Sequence, residues 1–192
     1  MIHHHFFIHR RAPLACALAV LVLVSLLAAP AAQAEDEGRL GVLGHHYSVI
    51  AGASYTMPAK AETRSIFGDH TFAPVLSIWN FQSRQGFALS WDVGLWRMRQ
   101  AGRRAEGFQG GVGPRFLFAD NRSAVAPFVT VRADAYVMRL DHDSWQTKPG
   151  VNVEVGATVL RHFVVSARYD AIPKVRGVDL SAFSASTAVK IF

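Results

Sequence analysis

The segment Val151–Tyr169 carries the clearest alternation of apolar and polar residues in the chain. Odd positions on both sides of a tight turn at Leu160–His162 are apolar, and even positions are mostly polar or small. Because successive side chains of a strand point to opposite faces, this pattern predicts a β-hairpin with one apolar face. Keeping the apolar set on one face across the turn places Glu154 opposite Arg168, an opposite-charge pair on the other face.

Further strand-like segments precede and follow this hairpin, and long polar stretches alternate with short turns between them. Pro74, inside one of these segments, indicates a bulge or distortion. The long stretches fall at 56–70, 97–106 and 139–148. This rhythm is typical of a transmembrane meander, with long loops on the extracellular side and short turns on the periplasmic side. We therefore predict an all-β fold, an eight-stranded antiparallel up-and-down transmembrane β-barrel. The eight segments are Leu40–Tyr55, Phe72–Phe81, Phe87–Leu95, Phe108–Phe118, Val125–Val137, Val151–Val159, Phe163–Tyr169 and Leu180–Phe192.

The first 34 residues have the features of a cleaved signal peptide. A basic pair, Arg10 and Arg11, precedes the apolar run Leu14–Ala29, and Ala32–Ala34 has the A-x-A form of a cleavage site. We expect export followed by residence in the cell outer membrane, with 1–34 as signal peptide and 35–192 as one barrel domain. The single cysteine, Cys16, leaves with the signal.

Charge patterning narrows the class further. Without Arg10 and Arg11 the chain keeps 18 basic residues against 14 acidic ones, a mild excess dispersed along the chain that does not suggest a nucleic-acid partner. The polar strand faces hold four acids and four bases. Each cation turned to lipid near the midplane costs roughly 2–4 kcal/mol, so four of them would cost about as much as the whole stability of a domain. We therefore expect a charge network in the lumen, formed by Asp92, Arg115, Arg132, Asp134, Glu154, Arg168, Asp170 and Lys190.

The balance of these charges predicts a plugged lumen rather than a channel, because an eight-stranded barrel is just wide enough for side chains to fill. Aromatic residues near both ends of the segments are typical of the two interfacial girdles of a membrane barrel. One band comprises Phe81, Phe87, Phe116, Phe118, Phe163 and Phe192, and the other comprises Tyr55, Phe72, Trp96, Phe108, Tyr136 and Tyr169.

In these features the chain from Leu40 to Phe192 resembles the small eight-stranded outer-membrane proteins of the OmpA/OmpX type. The resemblance implies that the terminal Phe192 is part of the signal read by the barrel-assembly machinery during insertion. Lys190 departs from the pattern, since an apolar residue is usual two places before the end. The expected surroundings are outer-membrane lipid and lipopolysaccharide, and the expected state is a monomer without cofactor.

Candidate chemistry is sparse, and we predict neither catalytic residues nor a metal site. His46 and Ser48 have the His-x-Ser spacing of outer-membrane lipid A deacylases, but their place early in the first strand, toward the periplasmic side, favours a structural role. The loop residues 141–144 (Asp-His-Asp-Ser) are typical of a solvated loop, with a weak cation site as the alternative. Four arginines of the 97–106 stretch are candidates for contacts with lipopolysaccharide phosphates: Arg97, Arg99, Arg103 and Arg104.

Four functional hypotheses remain open. The first is an outer-membrane barrel with a structural or surface-interaction role carried by its loops. The others are a lipid A-modifying enzyme, a narrow pore and a soluble periplasmic lipocalin-like binder. In a lipocalin-like protein the valines would lie inside and the charges of Asp92, Arg132, Glu154 and Arg168 would face solvent.

Overall fold

The computed structural model describes residues 40–42, 45–80, 86–120 and 123–191. The expected signal peptide at 1–34 and the terminal Phe192 lie outside the described residues. Among the described residues, no helix is long and apolar enough to cross a bilayer.

The described chain forms one antiparallel sheet in which each strand pairs with the next. The last strand also pairs with β2, so eight long strands, β2 to β9, close into a barrel, and the three-residue β1 adds to the edge of β2. This confirms the predicted eight-stranded up-and-down barrel. The elements are β1 Leu40–Val42, β2 His45–Pro58, α1 Ala61–Phe67, β3 Thr71–Asn80, β4 Gly86–Gln100, β5 Arg103–Leu117, β6 Val125–Leu140, β7 Gln146–Val159, β8 Phe163–Ala171 and β9 Ala182–Lys190.

The β7–β8 hairpin has the predicted register. Val159 pairs with Phe163, and Glu154 pairs with Arg168. The turn between them places Leu160 and Arg161 at φ of 50° and 67°, in the left-handed region that tight turns use.

The two faces of the barrel wall have opposite character. Val153 and Val155 on β7 are 44% and 52% exposed on the outer face, whereas Asn152 and Glu154 between them are 0% and 8% exposed. A soluble binder would bury the valines and expose the charges. The lipocalin-like alternative is therefore wrong, because the outer wall is apolar and suited to acyl chains.

The basic segment 97–106 is not the long loop that we expected. Strand β4 continues to Gln100 and β5 begins at Arg103, so the turn is the pair Ala101–Gly102. Both turn residues have positive φ, 46° and 84°. The arginines of this segment therefore belong to a β-hairpin. We did not predict this hairpin because its sequence shows no alternation of apolar and polar residues.

Two other connections also differ from expectation. The segment 56–70 is not a plain polar loop, because β2 continues to Pro58 and the segment contains α1 Ala61–Phe67. The connection between β8 and β9 runs from 172 to 181, longer than the medium-length turn predicted there. Both segments pack over one end of the barrel.

Pro74 does not produce a bulge in the β2–β3 ladder, whose register runs without interruption through the pair Ala53–Pro74. The β3–β4 ladder, in contrast, ends at the pair Val75–Gly94. Pro74 and the three residues before it in β3, 71–73, therefore have no ladder partner on β4.

Candidate functional site in the barrel interior

The centre of the barrel interior is an ionic layer built from four strands. Arg132 on β6 lies between two carboxylates, with its Nε 3.2 Å from Asp92 Oδ1 and its Nη1 2.8 Å from Glu154 Oε2. Arg168 on β8 reaches Asp92 with its Nη1 at 2.8 Å and donates from Nε to Asp170 at 3.0 Å. Asp92 and Arg132 are 3% and 2% exposed, so these contacts are shielded from solvent.

Neutral groups complete this layer. The side-chain amide of Asn152 donates to Asp134, and the hydroxyl of Tyr136 donates to Asp170 at 2.8 Å. Gly111 lies against the Asp134 carboxylate, so a Cβ at position 111 would overlap with it. The strand glycine here makes room for a buried charged group.

Below the ionic layer, toward the short turns, Arg115 packs against two aromatic rings that meet each other edge to face. Its guanidinium carbon lies 3.1 Å from the ring centre of Trp79 and 4.3 Å from that of Phe128. Its Nε donates to Thr130 at 2.9 Å, and its Nη2 lies 3.6 Å from Glu154. Arg115 therefore joins the ionic layer to an apolar base.

Above the ionic layer, α1 and the 172–181 connection close the mouth of the barrel. The Thr63 hydroxyl donates to the Asp179 carbonyl at 2.6 Å and ties the two segments together. Tyr136, which we assigned to an outer girdle, is fully buried beneath them. This cap consists of Phe67, Met98, Ala105, Tyr136, Met138, Leu140, Ile172, Val175 and Leu180.

The three layers leave little free volume between them. The cavity between the ionic layer and the cap is bounded by Arg168, Asp170, Met98 and Leu180 and measures about 30 Å³. That is room for one or two water molecules.

At the rim, on the outer side of the extended β4–β5 hairpin, Glu106 is the centre of a second group of charges. It pairs across the neighbouring strands with Arg97 at 3.2 Å and Arg139 at 2.6 Å, and Arg104 lies 3.6 Å away. Arg99 is exposed and lies outside these ion pairs among the described residues. The rim thus carries more arginines than acids.

The carboxylates of the 141–144 segment are paired with arginine. Asp141 accepts from the backbone N–H of Arg104 and from Arg103, both at 2.7 Å, and these hydrogen bonds lower the pKa of its carboxyl. Asp143 lies 2.9 Å from Arg176. In the described ranges no group of three or more potential ligands could hold a metal ion.

Three of the named residues lie apart from the ionic layer. Lys190 is half-buried at the C-terminal end of β9, away from the capped end of the barrel, where it pairs with Ile50. Ser48 is buried at 5% exposure, and His46 lies in β2 opposite Gly41, with its side chain outside the described residues.

Sequence reasoning missed several residues that build the interior. Trp79 and Phe128, whose rings contact Arg115, lie in strands that we recognised, but only the barrel closure brings them together. Glu106, the centre of the rim group, was assigned to a loop. Its opposite-charge neighbours across two strands would have been a usable signal had the hairpin register been known.

No protein-family model matches the sequence, and a search of curated proteins finds no match. Among solved structures, the chain is similar to Neisserial surface protein A, with a TM-score of 0.58, 22% identity, and coverage of 75% of this chain and 96% of that one. It is also similar to the N-terminal β-barrel domain of Pseudomonas aeruginosa OprF, with a TM-score of 0.50, 14% identity, and coverage of 74% and 96%. The chain therefore has the fold of the small eight-stranded outer-membrane β-barrel proteins.

Proposed function

We propose that this protein is an integral outer-membrane barrel that does not conduct and that acts structurally or through its extracellular surface. The ionic layer carries this proposal, because its arginines and acids extend across the lumen between opposite walls. Asp92 on β4 and Arg168 on β8, for example, meet at 2.8 Å.

Opening a water-filled path through this layer would require separating buried ion pairs. Breaking such a pair by removing one partner costs about 3–5 kcal/mol, because the remaining charge is left uncompensated. The apolar cap above and the stacked Arg115 below add two further obstructions. The lumen therefore suits a stabilising role better than transport.

The surface role rests on the rim. Arg97, Arg103, Arg104 and Arg139 pair with two acids, Glu106 and Asp141, and the excess of positive charge there suits phosphate groups. We propose lipopolysaccharide in the outer leaflet as the partner of this rim. Recognition of Phe192 by the assembly machinery and a monomeric state remain predictions.

A planar-bilayer recording tests the first part of the proposal. The purified full chain, refolded in detergent and inserted, should give no discrete conductance of stable size. Electrophoresis with and without boiling should first show that the barrel is folded, through a change in mobility. Regular single-channel steps from the folded wild-type protein would contradict the proposal and support the narrow pore.

No specific observation favours the enzyme hypothesis. Ser48, its candidate nucleophile, is buried, with 5% of the residue exposed. Lipid A incubated with the folded protein should therefore keep its mass.

A further inference from the structure

The barrel wall has a gap between β3 and β4 at the capped end. Above the last pair, Val75–Gly94, residues 71–74 still pair with β2 and residues 95–98 still pair with β5. The two segments do not pair with each other. Neighbouring strands in a barrel normally satisfy one another's backbone groups, so the gap needs a cause.

Pro74 supplies the cause. The Thr71 hydroxyl donates to the carbonyl of Arg97, so the backbone of Arg97 faces β3. Alternate residues of an antiparallel strand direct their backbone groups to the same side, which means that Leu95 faces β3 as well. The residue opposite Leu95 is Pro74, which has no N–H to donate. The ladder therefore stops at Val75, and the Leu95 carbonyl has no ladder partner across the gap.

An apolar groove lies along the outside of this gap, with a volume of about 270 Å³. Three aromatic residues that line it, Phe72, Phe108 and Trp145, are 39%, 44% and 48% exposed. Pro74 and Leu95, at the edges of the gap, form part of its floor, and the lining also includes Glu106. A groove of this size is slightly smaller than pockets that enclose a drug-sized ligand and suits part of one acyl chain.

Positive charge borders the groove on the side toward the hairpin tip. The Arg97 side chain is 62% exposed and Arg139 is 32% exposed, whereas the carboxylate of Glu106 between them is 14% exposed. The Arg139 guanidinium also lies 4.8 Å from the ring centre of Trp145, so it connects the charged border to the aromatic wall. An anion approaching from outside meets guanidinium groups before it meets the carboxylate.

We propose that this groove binds one phosphorylated glycolipid of the lipid A type, with an acyl chain along Phe72, Phe108 and Trp145 and a phosphate at Arg97 and Arg139. The inference rests on the proposed outer-membrane location and names the site of the proposed lipid contact. A sugar phosphate monoester carries more negative charge than the diester of a phospholipid, which suits a pair of arginines. Sugar hydroxyl groups would also provide donors for the exposed strand edge at Leu95.

The test compares lipids retained by the full-length folded protein. The wild type and variants are placed in nanodiscs that contain lipid A, dephosphorylated lipid A or phosphatidylglycerol, and bound lipid is counted by native mass spectrometry. We expect retention of lipid A and about tenfold weaker retention of the other two. The double variant Arg97→Gln/Arg139→Gln should lose lipid A by about the same factor, because it removes the same arginine–phosphate contacts that dephosphorylation of the lipid removes.

Arg99→Gln is the matched control, because Arg99 lies in the same hairpin two residues beyond the groove. It should retain lipid A as the wild type does, and an equal loss in this variant would overturn the assigned site. Equal retention of phosphatidylglycerol and lipid A would overturn the assigned ligand.

Pro74→Ala tests the groove itself. The restored N–H should extend the β3–β4 ladder, which slower amide hydrogen exchange at Phe72 and Arg97 would report. It should also narrow the groove and weaken lipid A retention. Slower exchange with unchanged retention would overturn the proposal. Conductance is a separate readout, so a conducting wild type that still retains lipid A would refute the proposed function and leave this site standing.

Discussion

The interior and the rim of this barrel both pair arginine with carboxylate, but they do so under opposite conditions. Inside, Arg132 and Asp92 have side chains that are 1% and 2% exposed. At the rim, Arg97 and Arg103 are 62% and 56% exposed, and their acids serve several arginines at once. Burial forces the interior to match its charges closely, whereas solvent at the rim tolerates an excess of one sign.

The same pairing therefore has different consequences in the two regions. A buried pair mainly offsets the free-energy cost that an isolated buried charge would add to folding, and it links the strands that carry it. An exposed pair contributes little to stability, with a median of about 0–1 kcal/mol, and remains open to exchange with an external anion. The interior pairs therefore stabilise a closed lumen, whereas the rim arginines remain accessible to an external anion.

The sharpest way to break this comparison is to remove one arginine from each region. Arg132→Met should lower the free energy of unfolding by about 3–5 kcal/mol, because Asp92 and Glu154 would lose their shared partner. Arg97→Met should lower it by no more than about 1 kcal/mol. Denaturant titration in detergent, followed by tryptophan fluorescence, measures both. Equal losses would mean that burial does not distinguish the two groups.

A smaller effect is expected from a methyl group placed beside the ionic layer. Gly111→Ala should cost about 1–3 kcal/mol, since the new Cβ must displace the Asp134 carboxylate or bend the strand. Gly110→Ala, on the neighbouring residue, is the control, because its nearest contact is the Asp92 carbonyl at 3.9 Å. The same unfolding assay applies. Equal stability of the Gly111→Ala and Gly110→Ala variants would show that the Asp134 carboxylate can move aside at little cost in free energy.

The smallest effect is expected at the rim as pH falls. The pKa of Asp141 is lowered by the Arg104 N–H and the Arg103 side chain, so its ionised form favours the folded hairpin. This contribution is complete above the unfolded pKa near 3.9 and is lost as pH falls through the lower folded pKa. The amide resonance of Arg104 should titrate with an apparent pKa below about 3.9, the unfolded value. A midpoint at or above that value would show that the hydrogen bond is not maintained in solution, and Asp141→Asn should abolish the titration.

Alternation over two residues is a local property, and together with the rhythm of long and short connections it was sufficient to predict the eight strands and the closed barrel. The β7–β8 register followed as well, because one turn and the requirement for a single apolar face leave few pairings. The solvated hairpin around Arg97 and Glu106 was not predicted, because its sequence lacks this alternation. Neither face of a strand that rises into water needs to be apolar, so its residues resemble those of a loop.

Partner choice and layering were decided by tertiary structure. Arg168 meets Asp92 across 76 residues of sequence, and Arg115 meets Trp79 and Phe128 only once the wall has closed. Pro74 shows, in one residue, the difference between what the sequence determines and what the tertiary structure decides. The missing N–H is visible in the sequence, but which neighbouring strand loses a hydrogen bond depends on the register, and the groove exists because that strand is β4. Local chemistry determines what each side chain requires, while closure of the barrel determines which distant residue meets the requirement.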